Sequence, residues 1–355
     1  MNIDKTKPVM VTGATGYVAG WLVKKLLEDG LTVHAAVRNP DKKEKTQHLD
    51  AIAKNSPGTI KYFRSDLLEL GSYAAAMEGC EVVFHTASPF SNIVKDPQKE
   101  LIEPAVKGTR NVLEQANKTT SVKRIVLTSS CAAIYSDATD LEHTPNGMFT
   151  EEVWNTTASL DYQPYSYSKT LAEKEAWSIA GEQSNWDLVV INPSFVMGPF
   201  LNPESTTSES FRILEKMGNG ALKTGAPKIG MGVIDVRDLA IAHYRAGFNP
   251  EAEGRNIISA HNTDMLELAR ILHKEYGDKY PIPNKAIPKW LLWLVGPMVD
   301  KAITRRFVSH NVNHEWKADN SKSKERLGMT YRPLEETMVD SFEVLVKNEI
   351  VKPSK

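Results

Sequence analysis

Tyr165 and Lys169 stand four residues apart in the run YSYSK, directly ahead of the helix-forming stretch TLAEKEAW. On a helix that spacing puts the two side chains on one face. The pairing has a chemical use. Hydride delivery to a ketone carbon creates an alkoxide that must take a proton in the same step or just after it. A phenol, with an ordinary pKa of about 10, is a poor acid–base catalyst at neutral pH unless its anion is stabilised. An ammonium one turn away lowers that pKa and can also hold the ribose of a nicotinamide cofactor. Tyr167 has no such partner, because position 171 is Leu171, so Tyr165 is the expected proton donor. A third group comes from the run Arg124–Leu127, which ends in Thr128, Ser129 and Ser130. Ligands of open α/β sheets bind beyond the carboxyl ends of the strands, where a serine can polarise a substrate oxygen. Side-chain alternation turns only one of the two serines toward the site. Ser130 is the expected one, with Thr128 beside the cofactor.

The cofactor has its own signature. The first apolar run leads into Thr12-Gly13-Ala14-Thr15-Gly16-Tyr17-Val18-Ala19-Gly20. A pyrophosphate requires a tight turn, a backbone it can approach without meeting a Cβ, and a helix N-terminus offering free N–H groups. Gly13 and Gly16 meet the first two needs and the helix from Tyr17 the third. Ala19 takes the third glycine position, where alanine is an accepted variant. Thr12, Gly13, Thr15, Gly16, Tyr17 and Val18 are therefore expected around the dinucleotide. About 25 residues after Gly13, where an NAD enzyme usually places an acid for the ribose hydroxyls, the chain has Arg38. A guanidinium pairs with a 2′-phosphate that a carboxylate would repel. Lys42 and Lys43 follow and extend the basic patch. NADP (NADPH) is the expected cofactor.

These groups need a frame. Val9–Thr12, Thr32–Val37, Ile60–Phe63, Glu81–His85, Arg124–Ser129 and Asp187–Ile191 read as strands, with helical stretches such as Tyr17–Glu28 between them. Alternation at this spacing predicts an α/β fold: a Rossmann-type, doubly wound parallel sheet with helices on both faces. After Pro193 the rhythm changes to shorter elements with frequent proline and glycine. The expected division is a cofactor domain over 1–192 and a smaller, mainly substrate-binding lobe over 193–355. Segments such as 229–248 are expected to return to the first domain. Helices are also expected over 263–276 and 333–348.

The chain is long enough, at 355 residues, to carry both parts. Its formal charge of −1 offers no basic stripe for nucleic acid. Cys80 and Cys131 are too few and too far apart for a disulfide framework or a zinc site. His261, His273, His310 and His314 show no metal-ligand pattern, and His85 reads as a strand-end packing residue. No apolar run precedes the first strand, and a cytoplasmic location without a membrane partner is the expectation. The run WLLWLVGPMV within Ile287–Ile303 is about half the length of a membrane span; it reads as a packed helix or lid edge, or as an interfacial or dimer contact. A monomer or a homodimer fits equally well.

Taken together, VTGATGYVAGWL, AAVRNP, SDLLE, VVFHTASPF, PAVKGTRNVL, VLTSSCAAIY, YSYSK, INPSFVMGPF, IDVRDLAIAH and LGMTYRPLEETMVDS resemble, in this order, the extended short-chain dehydrogenase/reductase family. The nearer likeness is to dihydroflavonol reductases, cinnamoyl-CoA reductases and fungal or bacterial carbonyl reductases. The resemblance implies that Asp66 and Leu67 flank the adenine, that Thr86, Ala87 and Ser88 line the cofactor, and that Pro193, Ser194 and Val196 lie by the nicotinamide. It also departs from the pattern in two places. YQPYSYSK replaces the longer signature around the tyrosine of plant cinnamoyl-CoA reductases. The asparagine by which dihydroflavonol reductases bind flavonoid is replaced within Cys131–Ala133. Neither plant substrate is implied. Phe90, Ile134, Tyr135, Phe195, Met197 and Phe211, with Ser130, instead suggest a mainly apolar pocket for an aldehyde or ketone. A nucleotide-sugar epimerase or dehydratase shares the fold and triad but usually retains NAD, against which Arg38 argues. A non-catalytic NADP sensor has typically lost the tyrosine or lysine, and both are here.

Overall fold

Short valine- and isoleucine-rich runs, apolar on both faces, suit strands covered by helices on two sides. The computed structural model describes residues 2–88, 94–203 and 208–353. Its strands are β1 (Val9–Thr12), β2 (Thr32–Val37), β3 (Thr59–Arg64), β4 (Val82–His85), β5 (Arg124–Thr128), β6 (Asp187–Pro193), β7 (Phe195–Met197), β8 (Gly230–Asp235), β9 (Gly254–Ile258) and β10 (His261–Asp264). The helices of the first half are α1 (Tyr17–Glu28), α2 (Lys43–Lys54), the single turn α3 (Ala74–Met77), α4 (Glu103–Asn117) and α5 (Pro164–Gly181). Those of the second are α6 (Glu209–Gly218), α7 (Val236–Phe248), α8 (Met265–Tyr276), α9 (Lys289–Val299), α10 (Arg305–Asn311), α11 (Ser321–Arg326) and α12 (Leu334–Lys347).

Seven strands make one parallel sheet in the order β3-β2-β1-β4-β5-β6-β9. The winding reverses between β1 and β4, the switch point at which such sheets leave a crevice for a ligand. Alternate residues divide between two cores. Val11, Ala35, Phe84, Val126 and Val189 face α1 and α7, while Met10, Ala36, Val83, Ile125 and Val190 face α4 and α5. The second sheet, β10-β8-β7, carries a separate core with α6, α8 and α12.

The two halves of the chain interleave. β9, the last strand of the main sheet, comes from beyond residue 192, and α7 packs on α1 in the first core. β8, just ahead of α7, belongs instead to the three-stranded sheet. α9 buries Leu292 and Gly296 and leaves much of its apolar surface outward.

Two buried histidines give the fold an acid limit. His243 on α7 bonds Thr128 Oγ1 through Nε2 at 2.7 Å and the Leu239 carbonyl through Nδ1 at 2.8 Å. Burial lowers its pKa to about 4, and that of His85 to about 3. Folded-state values below the unfolded one mean that stability is present above about pH 6.5 and lost as pH falls. Each histidine should then cost about 1.4 kcal/mol per pH unit below 6.5 until its folded value is reached. Urea unfolding at pH 7 and pH 5 should show the loss, and His243→Gln should reduce it. An unchanged difference in that variant would assign the acid sensitivity elsewhere.

Candidate active site

β1 ends in a turn that only glycine suits. Gly13 has φ of +63°, and a Cβ there would lie 3.1 Å from Ala87. Its N–H bonds the Ala36 carbonyl at 2.9 Å. Gly16 then caps α1 in extended conformation with no side chain bonded to the first-turn N–H groups, which leaves an anion-binding helix end. Thr86 and Ala87, just past β4, are held against this turn by N–H bonds to Thr12 Oγ1 at 3.1 and 3.0 Å. Arg38 follows β2 directly, is exposed, and makes no hydrogen bond or ion pair among the described residues. Lys42, at the start of α2, pairs with Glu44 at 3.3 Å. Asp66 lies next door, since Val37 pairs with Arg64 and accepts a bond from the Ser65 N–H at 2.9 Å. A glycine turn, an uncapped helix end and an uncommitted cation fit a phosphorylated dinucleotide.

The groups expected to handle the proton meet across the same crevice. Gln163 adopts a left-handed conformation (φ 55°), and Pro164 opens α5 in its first turn. Tyr165 therefore sits one residue inside the helix and Lys169 one turn further. Tyr165 keeps 37% of its surface open. The protein packed around it still pushes its phenol above the ordinary value, while a hydrogen bond with Ser130 pulls the other way. Lys169 is buried, its Nζ 5.9 Å from the Tyr165 ring centroid and 3.0 Å from Ser88 Oγ. Burial brings its ammonium down to about 8, opposed by Glu173. Burial is the larger influence on the Tyr165 phenol, and Ser130 is the group that opposes it. Ser130 also caps the turn Cys131–Ala133 by accepting the Ala132 N–H at 3.1 Å. Ser129 points the other way, its hydroxyl donating to Glu173.

This constellation can be set beside known proteins. The profile of the NAD dependent epimerase/dehydratase family matches residues 9–259. The chain belongs to that family. Among its relatives is a cinnamoyl-CoA reductase of Medicago truncatula, 42% identical over 271 residues, which are 76% of this chain and 80% of that one. A putative anthocyanidin reductase of Ginkgo biloba is 38% identical over 294 residues, 79% of this chain and 83% of the other. In structure the chain resembles the yeast methylglyoxal/isovaleraldehyde reductase Gre2 in complex with NADPH. The TM-score is 0.79 at 27% identity, over 97% of this chain and all of Gre2. The family, as extended short-chain dehydrogenases/reductases, agrees with the resemblance read from the motifs.

In this epimerase/dehydratase-family chain, several expected site residues stand behind the crevice rather than in it. Thr12 is fully buried, its hydroxyl bonded to two backbone N–H groups and to His85. Thr128 is half-buried and bonded to His243. Tyr17 turns away, donating to the Gly198 carbonyl at 2.8 Å and packing on Phe211. Val18 packs against the α1 core; Thr15 and Gly16 remain at the open turn. Three residues expected to line the substrate pocket are core residues. Ile134 is enclosed with Phe149, Ile257 and Trp316, whereas Met197 and Phe211 belong to the second lobe's core. Tyr135 stacks on Phe149 at 4.7 Å. Phe195 is half-buried, and Phe90 lies outside the described residues. Pro193 ends β6 and Ser194 follows it, its N–H on the Ile258 carbonyl, while Val196 lies in β7 opposite Ile234. Leu67, Ala87, Ser88 and Lys169, with His85 and Glu173, line one narrow pocket of about 20 Å³.

Sequence reasoning missed the support behind the triad. Glu173, buried one turn past Lys169, accepts from Arg255 Nε at 2.6 Å, from Asn192 Nδ2 at 2.8 Å and from Ser129. Arg255, on β9, also donates to the Glu151 and Val153 carbonyls at 2.8 and 2.6 Å and covers the Trp154 ring at 3.9 Å. Asn192 reaches the Ser130 carbonyl at 3.3 Å. One buried ion pair thus ties the tyrosine helix, the serine strand end and β9. Removing either charge would strand the other at a cost of about 3–5 kcal/mol. A signal existed: Glu173 continues the four-residue spacing of Tyr165 and Lys169, and Arg255 interrupts an apolar strand.

Proposed function

We propose that the chain reduces the carbonyl of an aldehyde or ketone to the alcohol with NADPH. The observation that carries this reading is the bonded pair of Tyr165 and Ser130 one turn from the buried ammonium of Lys169. Lys169 is bonded to Ser88, one residue past the Ala87 that packs on the glycine turn. NADPH, when bound, supplies the hydride. Arg38 receives the 2′-phosphate, with Lys42 and Lys43 nearby, and the open end of α1 receives the pyrophosphate. Ser130 and Tyr165 donate to the carbonyl oxygen and polarise it. Tyr165 gives its proton to that oxygen as charge develops there, and Lys169 stabilises the phenolate that remains. Glu173 keeps Lys169 charged against the pull of its burial. The names of the reductase relatives support the same reaction class.

The test is NADPH consumption, followed by absorbance, across a panel of aldehydes and ketones. Oxidation that depends on the carbonyl compound supports the reading. No turnover on any of them, with NAD retained through purification, would point to epimerase or dehydratase chemistry. Ser130→Ala should lower turnover by about 10²-fold or more, the usual loss for a positioned donor at a developing oxyanion. Ser129→Ala should lower it less, since that hydroxyl serves Glu173. The reverse ranking moves the polarising role to Ser129.

A further inference from the structure

The outer face of α9 exposes Trp290, Trp293, Leu294, Val295, Met298 and Val299, with Trp290 at 68% and Met298 at 86%. The inner face packs through Leu292 onto Val308 and Val312 of the α10 region. This apolar ridge lies within a basic stretch. From Lys285 to Arg306 the chain carries five cations (Lys285, Lys289, Lys301, Arg305 and Arg306) and one acid, Asp300. Asp300 is held by Lys216 at 3.4 Å, so its charge is offset locally. Lys289 turns inward to the Ser309 carbonyl. Lys285, Lys301, Arg305 and Arg306 stay exposed, with Arg305 over the Trp293 ring at 4.6 Å and Arg306 over that of Tyr162 at 3.6 Å.

We propose that this face seats the protein on anionic bilayers, with Trp290, Trp293, Leu294 and Met298 in the headgroup–acyl boundary and the four exposed cations against lipid phosphate and carboxylate. Tryptophan and aliphatic side chains on one helix, with cations in the segments that flank it, are the composition of an interfacial contact. Crossing is excluded by length. The helix has 11 residues, roughly 16 Å, against a hydrocarbon core of about 30 Å. No described helix is long and apolar enough to cross a membrane. A second copy is the poorer occupant, because a two-fold contact through this ridge brings the same cations face to face. The contact is peripheral.

The full chain should float with vesicles of phosphatidylcholine and phosphatidylserine, and far less with phosphatidylcholine alone. Its tryptophan emission should shift to the blue only with the former. The double substitution Trp290→Ser/Met298→Ser should reduce partitioning by about tenfold or more, and Lys301→Glu/Arg305→Glu should abolish the preference for phosphatidylserine. Both sets are at the surface, so thermal unfolding and NADPH oxidation without vesicles should stay at wild-type levels, which separates this contact from the proposed reaction. Absence of binding to the anionic vesicles overturns the proposal. So does a wild-type dimer that Trp290→Ser/Met298→Ser converts to monomer in sedimentation, since the ridge would then be a protein contact.

Discussion

Tyr165→Phe is expected to lower turnover by about 10²-fold or more, the usual span for general acid catalysis, with little change in NADPH affinity. The substitution keeps the ring and its packing and deletes the hydroxyl bonded to Ser130. Lys169→Met should lose activity and also some cofactor affinity, because the ammonium is proposed to stabilise the phenolate and it reaches Ser88 beside the glycine turn. Acting on one proton, the two changes should be far from additive. The pH profile carries the sign of Lys169. A lysine lowered to about 8 loses its proton as pH rises through that value, so the reduction rate should fall above about pH 8 rather than above the ordinary lysine range. Lys169 faces Glu173 on the same helix and His85 from β4. Tyr167→Phe is the control and should stay largely active. Near-normal turnover in Tyr165→Phe alongside a dead Tyr167→Phe would falsify the register assigned to α5.

Arg38→Asp should invert cofactor use. The guanidinium stands exposed and uncommitted at the end of β2, so its replacement removes a charge-assisted pair with the 2′-phosphate and adds repulsion. Loss of kcat/KM with NADPH should reach about 10²-fold or more. NADH should lose little or gain, since a carboxylate at this point suits the ribose hydroxyls. Measuring kcat/KM for both cofactors in both proteins decides the matter. A wild type that uses NADH as well as NADPH removes the role given to Arg38.

The residues that could be read from sequence are those whose spacing encodes backbone geometry. Gly13 needs a positive φ and a Cβ-free approach to Ala87, and both requirements leave a mark on residue type. Tyr165 and Lys169 are legible because a helix converts four residues into one face. The six strands ahead of Pro193 announced themselves as short apolar runs separated by helical periods. Ile134, Met197 and Phe211 were misread because an apolar residue near a site looks the same whether it lines a cleft or fills a core; only the packing of distant chain, such as Trp316 beside Ile134, separates the two. Thr12 was misread for a related reason: its hydroxyl is used by backbone 74 residues away. The return of β9 to the main sheet leaves no local trace either, since its pairing with β6 joins segments more than sixty residues apart, as Val189 with Gly254 shows.

Arg255 reaches Glu173 across 82 residues of chain, and this separation bears on how the molecule is made. During synthesis the chain emerges from its N-terminus, and α5 with its tyrosine and lysine leaves the ribosome well before β9. Until β9 arrives, Glu173 lacks its cation and β6 is the open edge of a six-stranded parallel sheet, a template for pairing with another nascent chain. The same strand therefore closes the edge and neutralises the carboxylate behind the tyrosine helix. A chain released before residue 254 holds the glycine turn, Ser130, Tyr165 and Lys169, yet lacks the ion pair that binds their supports together.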